Sequence, residues 1–243
     1  MLIKRADDYQ SWYIEEQGYG ILIDPWLDNK MNPDSSLLIQ RNRETSNNLT
    51  EENIQNTKVI IITSPFKDHL HIPSLELFEH KKLFCNNQTR RKIERKNLKF
   101  LFLAKDKTHK LGPFSINSFR SGFPYQFSSF SFSLSNQNGK TILYEGHTVK
   151  LDEIINKNLQ CDLAILTADS VKLFGVSLSM GEEEVLNVLK LLNCNKLMIT
   201  GSNPESTTGL ISRFLKIKPV DVAILKKNGV EVCGEEIKDE IRI

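Results

Sequence analysis

The sequence lacks the features that would assign it to a membrane, secreted or nucleic-acid-binding class. No run within its 243 residues approaches the ~20 apolar residues that a membrane span needs, and residues 1–8 contain no apolar core of a signal peptide. Its 32 basic and 30 acidic residues are interspersed, so the net charge of +2 creates no field that indicates nucleic acid. We therefore expect a cytoplasmic protein with no membrane or nucleic-acid partner.

Several catalytic and structural motifs are also missing. There is no G-x-S-x-G, no phosphate loop and no G-x-G-x-x-G after a strand. The cysteines form no C-x-x-C pair and have no histidine beside them, so neither a zinc knuckle nor a disulfide framework is indicated. We expect buried, reduced thiols at Cys85, Cys161, Cys194 and Cys233.

The patterns that are present indicate one large domain of mixed α and β structure. A hairpin is predicted over 11–27, followed by a polar insert at about 28–57 that could form a flexible lid. Alternating β and α segments flank a stretch of antiparallel hairpins at about 109–145. We predict a single domain over 1–243 in which two sheets are sandwiched between helices, an α/β fold of α+β type.

Polar side chains follow the predicted strands at the points where the strands end. The apolar run at 60–62 leads within a few residues to Asp68, His69 and His71, and such runs are typical of central strands whose carboxyl ends form sites. Three further strand ends carry polar groups, which are Asp24 after 21–23, Glu145 and His147 after 141–144, and Ser202 and Asn203 after 197–200.

The order of these strand ends resembles the metallo-β-lactamase superfamily, whose motif reads His-x-His-x-Asp-His. Residues 63–73 and 144–147 match better a subgroup of cyanobacterial and plant members, with a motif close to Ser-Gln-Gly-x-x-Asp-His-x-His and a later Tyr-Glu-Pro-His. Thr63, Ser64 and Pro65 depart from the opening of that motif. The resemblance implies a four-layer αββα sandwich.

The resemblance also implies which parts of a two-metal site are retained. Asp68 and His69 correspond to ligands of the second metal, and Asp24 corresponds to the aspartate that orients a ligand from behind. Ser64 and Phe66 stand where the first metal's histidine pair is expected. His147 and residues 200–203 stand in place of the bridging aspartate and the late histidine, so ordinary two-metal hydrolysis is not expected.

Two functions from different classes follow from these residues. The first is hydrolysis of an ester, lactone or phosphoester with one zinc, iron or manganese ion, held by Asp68, His69, His71 and His147, with Asp68 and Glu145 as catalytic groups. The second is an inactive member that binds a small ligand or a protein partner without a metal. Each residue also has a structural alternative, because Asp68 could cap a turn and His69 could bond buried backbone.

Overall fold

Two seven-stranded sheets form the centre of the molecule. The structure is a computed structural model, and it describes residues 1–28, 40–41, 47–104, 108–201 and 207–243. The strands of the first sheet are β1 Leu2–Arg5, β2 Trp12–Glu16, β3 Tyr19–Ile23, β5 Thr57–Ile62, β6 Lys82–Cys85, β7 Leu101–Ala104 and β19 Glu240–Arg242. Those of the second are β8 His109–Leu111, β9 Phe114–Arg120, β10 Phe130–Asn136, β11 Thr141–Glu145, β12 Leu163–Thr167, β15 Lys196–Thr200 and β18 Glu231–Val232. The first sheet has the order β19-β1-β2-β3-β5-β6-β7 and the second has the order β18-β15-β12-β11-β10-β9-β8.

Smaller elements complete the described structure. One small sheet contains β13 Ser170–Leu173, β14 Val176–Ser177 and β17 Leu215–Lys218, a second pairs β4 Gln40–Arg41 with β16 Thr207–Thr208, and a 3₁₀ helix covers Ile211–Phe214. The α-helices are α1 Glu51–Asn56, α2 Ile72–Glu76, α3 Asn87–Glu94, α4 Leu151–Lys157, α5 Glu182–Leu191 and α6 Val222–Lys227. Among the described residues, no helix combines the length and the hydropathy that crossing a membrane requires.

Strand β5 shows why the sequence forms layers. It runs parallel to β3 and β6 in the middle of the first sheet. Successive side chains of a strand point to opposite faces, and here Val59 and Ile61 pack between the two sheets whereas Ile60 and Ile62 pack on the outer side. Because both faces are buried, the run is continuously apolar, as the sequence predicted for a central strand.

Helices cover the outer faces of both sheets. Leu75 of α2 and Ile93 of α3 share a core cluster with the outer side of β5. On the second sheet, Val185 and Leu189 of α5 pack with Leu166 of β12. The predicted αββα sandwich is therefore confirmed, while the extent of a single domain over the whole chain stays a prediction.

Two predicted features fall largely outside the described residues. Most of the polar insert at 28–57 lies there. Within its described part, Thr50 caps α1 and accepts a hydrogen bond from the backbone N–H of Asn53 at 3.2 Å. Ser202 and Asn203 also lie outside the described residues. The described part of the candidate site therefore consists of residues at the other strand ends.

Arg5 links the two sheets from inside the sandwich. It belongs to β1, yet its Nε donates to the carbonyl oxygen of Gly234 at 3.1 Å and its Nη2 donates to the carbonyl oxygen of Ile199 at the end of β15. Its guanidinium also lies 4.6 Å from the centroid of the Trp12 ring. The side chain is buried, so it supplies these carbonyl groups with hydrogen bonds inside the core.

Replacement of Arg5 is expected to destabilise the sandwich. Arg5→Met keeps the apolar stem but leaves two buried carbonyl oxygens without this donor, which should lower the free energy of unfolding by about 2 kcal/mol or more. Urea denaturation measures the change. Arg120→Met, at an exposed position of β9, is the matched control and should stay within about 0.5 kcal/mol; equal losses in the two variants would contradict the assigned role.

Candidate active site at the strand ends

Asp24 is a fully buried carboxylate that connects three strand ends. It directly follows β3, and its backbone N–H donates to the carbonyl oxygen of Ile61 at 2.8 Å. Its Oδ1 accepts from the backbone N–H of Thr63 at 2.8 Å, and its Oδ2 accepts from the Thr63 hydroxyl at 2.6 Å. His69 Nδ1 and the Tyr144 hydroxyl donate to the same Oδ2 at 2.8 and 3.2 Å. These bonds hold the ends of β3, β5 and β11 together.

His69 is held in one orientation by this carboxylate. The chain turns after β5, with the backbone N–H groups of His69 and Leu70 both donating to the carbonyl oxygen of Phe66. The ring is buried, and Asp24 can only accept, so the Nδ1 atom carries a proton. Burial alone would lower the pKa of His69, but the negative charges of Asp24 and Asp68 outweigh it and raise that pKa. The Nε2 atom is buried and has no hydrogen-bond partner among the described residues.

His147 lies beside His69, with ring centroids 4.5 Å apart. Its carbonyl oxygen accepts from the Thr167 hydroxyl at 2.6 Å, and its backbone N–H donates to Glu145 Oε1 at 2.8 Å. Burial, reinforced by the nearby His69, lowers the pKa of His147 well below its ordinary value. The imidazole is therefore neutral near pH 7, and within the described part of the chain its buried Nε2 has no hydrogen-bond partner.

Gly146 leaves room for the side chains of His69 and Tyr144. A Cβ atom at this position would lie 3.2 Å from His69 Cε1 and 3.2 Å from the Tyr144 hydroxyl. Both neighbours are rigidly held at the Asp24 carboxylate. A larger residue at 146 would therefore displace His69 or Tyr144.

The two predicted catalytic carboxylates have opposite surroundings. Glu145 is buried, its Oε2 accepts from the Ser131 hydroxyl, and burial raises its pKa to about 7. The Asp68 side chain is 36% exposed, and its Oδ2 accepts from the Tyr9 hydroxyl at 3.1 Å and lies 4.0 Å from His69 Nε2. Asp68 is therefore the one that solvent and solutes reach.

His71 makes a different set of contacts. It is the N-cap of α2, where its Nδ1 accepts from the backbone N–H of Ser74 at 3.3 Å and lies 2.7 Å from the Ser74 hydroxyl. Its ring stacks on Trp26 with centroids 4.1 Å apart, and its Nε2 lies 3.3 Å from Asp28. On an extended segment the side chains of His69 and His71 would point to the same side. Because the chain turns after β5, His71 contacts Ser74 and Trp26 whereas His69 contacts Asp24. Metal ligation by His71 stays a prediction.

Ser64 and Phe66, the two departures from the histidine motif, have contacts of their own. Ser64 is buried and its hydroxyl accepts from the Ser129 hydroxyl at 3.0 Å. The Phe66 ring lies 5.9 Å from Tyr125 and 6.2 Å from His147, centroid to centroid. Tyr125 stacks on His147 at 3.9 Å with the planes 11° apart. Aromatic rings therefore flank His147 on this side.

Sequence reasoning missed several residues that position the site. Thr63 and Tyr144 were part of the motifs already considered, and a requirement that buried Asp24 be satisfied could have found them. Tyr9, Tyr125 and Ser131 carry no such signal, because they come from other loops and strands and meet the site only through the tertiary fold.

An αββα sandwich in which an aspartate orients a histidine at a strand end defines a hydrolase-like protein of the metallo-β-lactamase fold. A family model described as the beta-lactamase superfamily domain matches residues 7–199. Because the match spans most of the 243 residues, the chain belongs to this family. The family resemblance read from the strand ends is thereby confirmed, and the subgroup stays a prediction. A search of curated proteins gave no significant match.

Solved structures agree on the fold. Isothiocyanate hydrolase from Delia radicum gut bacteria is 15% identical, with a TM-score of 0.73 over 100% of this chain and 99% of that one. A possible metal-dependent hydrolase from Veillonella parvula is 14% identical, with a TM-score of 0.71 over 99% and 97%. CmlA, a diiron β-hydroxylase from Streptomyces venezuelae, is 10% identical, with a TM-score of 0.64 over 100% and 54%. Identities this low demonstrate a shared fold alone.

The donor atoms fit a two-metal centre poorly. Among the described residues, no three His, Cys, Asp or Glu side chains come together as a group that could hold a metal ion. The 4.0 Å between His69 Nε2 and Asp68 Oδ2 nearly equals two metal bonds of ~2.1 Å, which is too long for a tetrahedral pair. His69 and His147 nevertheless have buried Nε2 atoms with no hydrogen-bond partner within the described ranges, and an acidic partner behind a histidine is typical of metal ligands. The chemistry therefore fits at most one cation.

The Asp24 carboxylate should be among the most sensitive positions for stability. Asp24→Asn presents an amide donor to groups that are themselves donors, so we expect the free energy of unfolding to fall by about 3 kcal/mol. Chemical denaturation gives the value. The control is Asp152→Asn, at an exposed position in the first turn of α4, which should lower the free energy of unfolding by less than about 1 kcal/mol. A similar loss of stability in both variants would contradict the structural importance of Asp24.

The capping role of His71 can be separated from any ligand role. His71→Ala removes the acceptor for Ser74, whereas His71→Asn restores a capping side chain, and both lose the stacking on Trp26. We expect the alanine variant to be less stable than the asparagine variant by about 1 kcal/mol. Thermal unfolding of the pair measures this difference; equal melting temperatures would show that the cap contributes nothing.

Proposed function

We propose that this protein is a hydrolase that uses a single divalent cation, bound between His69 Nε2 and His147 Nε2, with Asp68 beside it as the proton-transfer group. The observation that carries the proposal is the pair of buried imidazole Nε2 atoms, neither of which has a hydrogen-bond partner among the described residues, on adjacent rings. A buried polar atom costs free energy unless a ligand or cation satisfies it. A zinc, iron or manganese ion bound there would lower the pKa of a bound water toward ~7.

The residues around the pair then have separate tasks. Asp24 keeps the Nδ1 proton of His69 in place, so that Nε2 faces the ligand. Asp68 accepts or returns the proton of the attacking water, since its side chain is the exposed carboxylate of the site. Glu145 holds the backbone N–H of His147, and with both oxygens hydrogen-bonded it acts by positioning. The proton transfer is therefore assigned to Asp68, and Glu145 has only a positioning role.

The aromatic surroundings favour a neutral substrate. Phe66 is 41% exposed and, with Tyr125, forms an apolar wall beside His147. Flat apolar groups bind such rings favourably, whereas a phosphoester would bring charge to an apolar wall. We therefore place carboxylic esters and lactones with an aryl or acyl group ahead of phosphoesters as substrates.

A second candidate is a binding protein that performs no hydrolysis. It is favoured by the absence, among the residues that the structure describes, of an assembled three-ligand group. In this alternative the exposed Phe66 and Asp68 contact a small ligand that satisfies the two imidazoles directly. Metal analysis distinguishes the two candidates.

Metal content tests the proposal. Protein purified without chelator or metal-affinity resin should contain close to one equivalent of zinc, iron or manganese by elemental analysis. His69→Ala and His147→Ala should lose it. His80→Asn, at an exposed position with a φ of 67° that asparagine tolerates, should keep it. Protein that takes up no metal even after incubation with each ion would eliminate the metal mechanism and leave the binding function.

Hydrolysis of aryl esters and lactones provides the second test. Asp68→Asn should keep the metal and lower kcat/KM by ~10²-fold or more, as expected when a proton-transfer group is removed. Wild-type activity on phosphodiesters should be lower than on the neutral substrates. A metal-loaded wild type that hydrolyses none of these substrates, or full activity in Asp68→Asn, would contradict the assignment.

A further inference from the structure

Two cysteines meet at the opposite end of the second sheet from the candidate site. Cys161 precedes β12 and Cys194 precedes β15, and the two strands are parallel neighbours in which Ala164 pairs with Leu197. Each cysteine lies three positions before its member of that pair. The backbone N–H of Cys161 donates to the carbonyl oxygen of Leu192 at 3.4 Å, which ties it to the turn that carries Cys194. Neighbouring strands are ~4.8 Å apart, within the ~4.4–6.8 Å that disulfides span between Cα atoms.

Both cysteines are free, and both line the same cavity. Cys194 Sγ also lies 3.4 Å from the carbonyl oxygen of Lys196. The spacing of 33 residues between them hid this pair from the sequence, where the cysteines have no common motif.

An open cavity gives solutes access to the pair. It has a volume of about 300 Å³ and is lined by both cysteines together with Lys140, Asp162 and Lys196. Cys194 is partly exposed, whereas Cys161 is buried. The cavity lies at the amino ends of β12 and β15, while His147 and Thr167 belong to the carboxyl ends.

The two cysteines differ in reactivity. The neighbouring Cys161 thiol lowers the pKa of Cys194, and the influence of Cys194, together with burial, raises the pKa of Cys161. The thiolate is the nucleophile in exchange, so the accessible Cys194 reacts first and Cys161 second. Cys85 lacks this arrangement, because it is buried and burial raises its pKa to about 12.

We propose that Cys161 and Cys194 form a redox-active dithiol that closes reversibly to a disulfide by exchange with a low-molecular-weight disulfide such as oxidised glutathione. The Cys194 thiolate attacks one sulfur of that molecule, which forms a mixed disulfide and releases one thiolate. Cys161 then attacks the Cys194 sulfur, loses its proton to solvent and releases the second thiol. The two protein thiols are oxidised by two electrons, and one small disulfide is reduced to two thiols.

This step does not depend on the proposed hydrolase function. The disulfide would join the turn after α5 to the segment that leads into β12. The oxidised chain therefore carries a crosslink between the amino-terminal ends of β12 and β15. The crosslink restricts the unfolded chain more than the folded one. The oxidised form is therefore expected to melt at a higher temperature than the reduced form.

The test treats the folded, full-length protein with oxidised glutathione, quenches with acid and alkylates the remaining thiols in denaturant. Intact mass spectrometry should show two fewer alkyl groups than on the reduced protein, restored by dithiothreitol, and digestion should yield one peptide pair joined through Cys161 and Cys194. Full alkylation of the treated wild type, or a crosslink through Cys85 or Cys233, would overturn the proposal. Neither result requires a variant to fold.

Variants test the order of attack. Cys161→Ser should stop at the mixed disulfide and carry one glutathione on Cys194, while Cys194→Ser should carry neither a glutathione nor a disulfide. Cys85→Ser, the matched control on the first sheet, should still form the disulfide. Glutathione on Cys161 in the Cys194→Ser variant would reverse the proposed order and refute Cys194 as the nucleophile.

Discussion

The buried carboxylate of Asp24 is the interaction on which the site depends. A carboxylate without water must accept several hydrogen bonds or lose its charge, and here its donors come from the ends of β5 and β11 on the two facing sheets. The ring of His69 is fixed as a consequence, and with it the direction of the Nε2 atom. The His147 ring lies against this fixed partner, with centroids 4.5 Å apart, and Gly146 leaves room for His69 and Tyr144.

The two positions that depart from the histidine motif also contribute contacts to the site. Ser64 forms a hydrogen bond with Ser129, and Phe66 packs beside Tyr125 and His147. Phe66 and Tyr125 present aromatic surface beside His147. A histidine at 64 would add nitrogen atoms that need partners at a buried position where Ser64 now bonds Ser129.

Much of the architecture could be predicted because its causes are local. The run at 60–62 is apolar on both faces since β5 is buried on both faces, and the N-cap of α1 follows from Thr50 itself. The site could be predicted only in part. His69, His147 and Asp24 converge as expected from strand ends, but His71 caps α2 and Glu145 is enclosed, since a turn and a hydrogen bond to Ser131 decide where these side chains lie.

The sequence by itself determined the periodicity of the strands, the four layers and the family, because apolar alternation and strand-end motifs depend on neighbours along the chain. Tertiary structure alone decided which polar groups share a site and which do not. Asp24 meets Tyr144 across two sheets, and Cys161 meets Cys194 through the register of β12 and β15. Such contacts depend on strand order and register, which are set by the packing of the whole chain and have no signal in the separate segments.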